Sequence, residues 1–97
     1  MNTPLRWVYP ASYKSLEALA EKAGVHPYEY QALVDIGSPV GQVVKLQRAT
    51  NEWSHAFVPE ELANVSKSLM DFFSATVQQM AEMAQEDYHG FMAQRDV

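Results

Sequence analysis

From Leu62 to Tyr88 an apolar residue recurs every three or four positions: Leu62, Val65, Leu69, Phe72, Phe73, Val77, Met80, Met83 or Ala84, then Tyr88. Only an α-helix gathers such positions on one side. Pro59-Glu60-Glu61 opens it, with proline at the first helical position and two acids beside the positive end of the macrodipole. Gly90 is the expected stop. The seam drifts with a 3.6-residue period, so it is no strict heptad. A helix of about thirty residues overhangs a body built from the rest of so short a chain. An overhanging apolar stripe needs a partner, most simply a second copy of itself. Leu69, Phe72, Phe73, Val77, Met80 and Met83 are the expected oligomerisation residues. The Met80, Met83 and Met92 group near Phe91 reads as core or dimer packing.

The chain is 97 residues long, which is one small domain or one domain with an appended arm, and carries a net charge of −5. Residues 1–50 hold five cations (Arg6, Lys14, Lys22, Lys45, Arg48) and four anions (Glu17, Glu21, Glu29, Asp35). Residues 51–97 hold two cations (Lys67, Arg95) and eight anions (Glu52, Glu60, Glu61, Asp71, Glu82, Glu86, Asp87, Asp96). The acidity therefore lies in the back half and leaves the front half open to a polyanion. The absence of cysteine excludes disulfides, thiolate zinc sites and thiol nucleophiles. Met1 to Ala11 has no apolar run of a secretory signal, and no stretch has the roughly 20 apolar residues of a membrane span. A cytoplasmic protein is expected.

The front half is punctuated by proline and glycine. Leu5 to Tyr9 fits one helical turn or a short extended arm between Pro4 and Pro10. Leu16, Leu19, Ala20 and Ala23 keep helical spacing, with Ser12 or Ser15 as N-cap and Gly24 as the stop. Pro27 to Val34 reads as a second short helix with Tyr30, Leu33 and Val34 inward. Ser38-Pro39 opens a third, through Val40, Val43, Val44, Leu46 and Gln47, although Val43-Val44 also suits a strand. Asn51 to Val58 reads as a loop carrying Trp53 and Phe57. Trp7 and Trp53 are the expected anchors of the N-terminal segment and this loop on the long helix.

The segment Leu19-Ala20-Glu21-Lys22-Ala23-Gly24-Val25-His26-Pro27-Tyr28-Glu29-Tyr30-Gln31-Ala32-Leu33 resembles a helix-turn-helix. Ala20 is small where a second helix would cross. Gly24 supplies a left-handed turn, Val25 a wedge, and Tyr30 and Leu33 the pins. With Leu46-Gln47-Arg48-Ala49-Thr50-Asn51 and Val58-Pro59-Glu60-Glu61-Leu62, residues 12–62 are similar to small Cro-type phage repressors and prophage-encoded Cro-like regulators. The crowded prolines before Leu16 and the long final helix depart from that pattern. The resemblance implies a recognition helix exposing His26, Tyr28, Gln31 and Ala32 to base edges, with Lys22, Lys45 and Arg48 on phosphates. Glu29 on that face would repel phosphate.

No residue pattern points to chemistry. His26, His55 and His89 are scattered and lack metal-ligand spacing; Glu60-Glu61 and Glu86-Asp87 diverge on a helix; no nucleophile elbow or phosphate loop occurs. No metal, cofactor or enzymatic activity is expected. The sequence thus predicts an all-α protein: a helix-turn-helix bundle over 1–58, a long amphipathic helix over 59–92 for oligomerisation or partner binding, and a tail over 93–97. The expected function is a sequence-specific, repressor-like DNA-binding regulator of phage type. It would act on double-stranded DNA as a homo-oligomer, away from membranes. The alternative is an acidic helical module that binds and inhibits a host protein without touching DNA.

Overall fold

The computed structural model describes residues 2–95, with side chains through Ala84. It consists of β1 (Asn2–Pro4), α1 (Leu5–Val8), α2 (Pro10–Lys22), a 3-10 turn (Pro27–Glu29), β2 (Gln31–Asp35), β3 (Gln42–Arg48), β4 (Asn51–Phe57), α3 (Pro59–Asn64) and α4 (Lys67–Arg95). The strands form one antiparallel sheet in the order β1-β2-β3-β4. This corrects the all-α expectation. The segment read as a second helix is a 3-10 turn followed by β2, the one read as a third helix is β3, and the supposed loop after them is β4.

The sheet is one-sided. Strand alternation puts Ala32, Val34, Val44, Leu46, Trp53 and Phe57 on one face, and all six belong to or pack against the core. Leu16 and Ala20 of α2, Leu62 of α3 and Leu69, Phe73, Val77 and Met80 of α4 complete that core. The opposite face carries Gln31, Leu33, Lys45, Gln47, Glu52 and Ser54. Its side chains are exposed or half-buried, and Gln47 donates to Glu52 across the strands at 2.8 Å.

Helix α2 begins at Pro10, ahead of the serines expected to cap it. Ser12 is buried instead, and its hydroxyl donates to the Leu62 carbonyl, tying α2 to α3. The Tyr9 hydroxyl similarly donates to Gln42 at the start of β3. The long helix is interrupted. Val65 sits in the left-handed region at φ 52°, which ends α3, and the Ser66 hydroxyl then accepts the Leu69 N–H at 3.2 Å to start α4. Helix α4 runs through Gly90, past its expected stop, to Arg95. At 1.5 Å per residue it is about 43 Å long, and it accounts for most of the 52 Å length of the molecule. Among the described residues no helix is long and apolar enough to cross a membrane.

Trp7, expected to anchor the N-terminal segment on the long helix, is 70% exposed on α1. Trp53 does join the long helix, donating its indole N–H to Gln79 Oε1 at 2.7 Å.

Candidate functional site

The segment that suggested a recognition motif is a helix stop followed by a rigid corner. Gly24 takes φ +79°; its N–H bonds to the Glu21 carbonyl at 3.1 Å, and the Val25 N–H reaches the Ala20 carbonyl at 2.8 Å. This pair of bonds is a Schellman cap, and the buried contact it favours is made by Val25 and Ala20. Small alanine, glycine and an apolar residue in this spacing therefore finish α2, without a second helix to cross.

Pro27 then fixes the backbone of the next turn. The His26 N–H donates to Glu29 Oε2 at 2.6 Å, and the Glu29 N–H donates back to the His26 carbonyl at 2.9 Å. With its ends locked, the turn pushes Tyr28 outward to 84% exposure. The Tyr28 and His26 rings lie stacked, with centroids 5.2 Å apart and planes within 4° of parallel.

Three recesses share this corner. One of about 340 Å³ is lined by Glu17, Glu21, Gly24, Val25, His26 and Pro27. A second, of about 250 Å³, lies between Tyr28 and Glu29 and the end of the sheet at Gln31 and Gln47. A third, of about 170 Å³, has Arg6, Tyr13 and Tyr30 on its walls. Burial pushes the Tyr30 phenol up to about 12, with Tyr13 and Glu17 adding to the effect. The corner thus combines an exposed aromatic pair with three carboxylates, Glu17, Glu21 and Glu29. Flat ring faces and carboxylates are complementary to ammonium and guanidinium groups.

Of the residues expected to meet DNA, His26, Tyr28 and Gln31 share the corner, with Tyr28 and Gln31 lining one recess, and the others lie apart. Gln31 and Ala32 are consecutive in β2 and point to opposite faces, and Ala32 is only 7% exposed. Lys22, on the last turn of α2, lines a recess shared with Val77 and Ala81 of α4. Lys45 occupies the open sheet face opposite Leu33, and Arg48 ends β3. The expected oligomerisation stripe is also redistributed. Leu69, Phe73, Val77 and Met80 are buried in the chain's own core, Phe72 is half-buried, and Met83 is half-buried outside the core. The apolar stripe is thereby satisfied within one chain as far as Ala81. The expectations for Glu86-Asp87, His89, Phe91 and Met92 concern side chains outside the described residues, and Asp96 and Val97 of the expected tail lie outside them entirely.

Sequence reasoning did not gather Glu17, Glu21 and Glu29 around His26 and Tyr28. The available signal was the four-residue spacing of Glu17 and Glu21, which puts both on one face of α2 just before its glycine stop. Among the described residues no group of three or more His, Asp or Glu is placed to hold a metal. In comparison with known proteins, the chain matches no family model, no curated protein and no solved structure.

Proposed function

We propose that this chain is a protein-binding module whose Gly24–Gln31 corner receives a cationic segment of a partner protein. The observation that carries this reading is the stacked His26–Tyr28 pair, exposed and bordered by Glu17, Glu21 and Glu29. A large aromatic ring held out in water by a locked turn marks a contact surface more readily than a structural one. An arginine laid on the Tyr28 face gains about 0.5–2 kcal/mol from the ring quadrupole. The three carboxylates steer a basic partner and repel a phosphate backbone. Reading DNA with Gln31 and Ala32 together would need a helix where β2 lies.

Calorimetry tests the proposal. An arginine-rich peptide, a neutral peptide of equal length and duplex DNA are titrated into the chain at low and moderate salt. The arginine peptide alone should bind, and Tyr28→Ala should weaken it about fivefold, as expected for loss of about 1 kcal/mol of cation–π contact. Equal binding of the neutral peptide, or tighter binding of DNA, would refute the proposal.

A further inference from the structure

β1 stops at Pro4, opposite Leu33. Beyond that point, along Gln31 and Ala32, β2 has a strand neighbour only on the β3 side. Beside this stretch lies the recess of about 170 Å³ walled by Arg6 of α1, Tyr13 of α2 and Tyr30. Two polar groups on its walls lack partners. Tyr30 is only 8% exposed, and its hydroxyl is buried with no hydrogen-bond partner. Tyr13 stands beside it without completing a hydrogen bond of normal geometry. A buried hydroxyl is rarely left so, because its lost water contacts go uncompensated. Arg6 is the other: it is exposed and makes no ion pair among the described residues. No carboxylate lines the recess. Glu17, which acts on Tyr30 from α2, lines the neighbouring one instead.

We infer that this recess binds a small monocarboxylate with a flat apolar body, its carboxylate forked on Arg6 and hydrogen-bonded by the Tyr30 hydroxyl. A planar guanidinium matches a carboxylate with two parallel N–H bonds, and a phenol O–H adds a third donor. The Gln31 carboxamide, also on the wall, can donate as well. One cation suits one negative charge better than a phosphate dianion. The rest of the lining, with Pro4, Pro27 and Leu33, suits an apolar body. The volume is close to the roughly 150 Å³ of a cavity that admits benzene. His26, Tyr28, Glu21 and Glu29 are not on these walls, so the inference stands whether or not a basic partner docks at the corner.

Benzoate is the probe, with benzamide as its uncharged counterpart and inorganic phosphate as the competing anion. Each is titrated into the full isotope-labelled chain and followed by NMR. Benzoate should bind with a roughly millimolar dissociation constant, as suits so small a ligand. Its shifts should centre on Arg6, Tyr13, Tyr30 and Gln31. Benzamide should bind about tenfold more weakly, having lost the charge-assisted bonds, and phosphate more weakly than benzoate. Arg6→Gln should abolish the preference for benzoate over benzamide. Tyr30→Phe removes an unpartnered hydroxyl, so it should keep the melting temperature at neutral pH while weakening benzoate about fivefold. No saturable benzoate binding, or shifts confined to other parts of the surface, overturns the inference. So does benzamide or phosphate binding as tightly as benzoate, or benzoate affinity indifferent to both substitutions.

Discussion

The sheet and the helix-turn-helix make opposite demands on two adjacent residues. In a recognition helix Ala32 is exposed and Leu33 pins the helix to the core. In β2 Ala32 lies on the covered face beside Leu46, and Leu33 lies on the open face beside Lys45. Ala32→Lys must either bury an ammonium or push the covering helices and the sheet apart, costing about 3 kcal/mol or more. Leu33→Gln exchanges an apolar for a polar side chain on a half-open surface and should cost under about 1 kcal/mol. For a domain of this size each kcal/mol moves the melting temperature by about 4–8 °C, so Ala32→Lys should lower it by about 12 °C or more and Leu33→Gln by under about 8 °C. Thermal unfolding followed by circular dichroism reads both. A tolerated Ala32→Lys alongside a disruptive Leu33→Gln would refute the sheet assignment of this segment.

Two glycines and one tyrosine give further tests. Gly24 has φ +79° and open space where a Cβ would stand, so Gly24→Ala should cost about 1 kcal/mol in urea denaturation, from backbone conformation alone. Gly41 has φ +121° and a Cβ there would meet the Phe57 carbonyl oxygen at 3.1 Å, so Gly41→Ala should cost more, about 2–3 kcal/mol; equal costs would contradict the difference. Tyr30 is raised in the fold to about 12 from an ordinary value of 10. Its neutral form is the one favoured by folding, so its contribution is complete below 10 and is lost as pH rises towards 12. Tyr30→Phe should therefore flatten the fall in stability over that window, measured by urea denaturation at each pH; an unchanged slope would remove Tyr30 as its cause.

The helices were legible because their signals are local. Leu16 and Ala20 mark the inner face of α2, Gly24 its stop and Pro59 the start of α3, and the stripe from Leu62 to Met80 is the covering layer of the core. The strands were not. β2 is five residues long, and Leu33 on its open face fills the gap in the Tyr30, Ala32, Val34 alternation, leaving an apolar cluster that also fits a helix. In β3, Val43 on the open face adjoins inward Val44 and blurs the start of its alternation in the same way. The hairpin between β3 and β4 has no Asn-Gly signal; Ala49 itself takes the left-handed conformation at φ 54°. β4 reads as a loop because its inner positions, Trp53, His55 and Phe57, include a histidine among polar neighbours. The corner was half legible: the sequence places His26 and Tyr28 together, but their stacking depends on the turn closed by Glu29.

Docking of a basic partner on the surface around His26 and Tyr28, as proposed, can be read residue by residue. The most direct measurement is chemical-shift mapping of the isotope-labelled chain titrated with an arginine-rich peptide. Perturbations should concentrate at Glu17, Glu21, His26, Tyr28 and Glu29 and leave the Ser54–Phe57 end of β4 unmoved. Perturbations spread over the acidic residues of α3 and α4, with the corner unmoved, would contradict it.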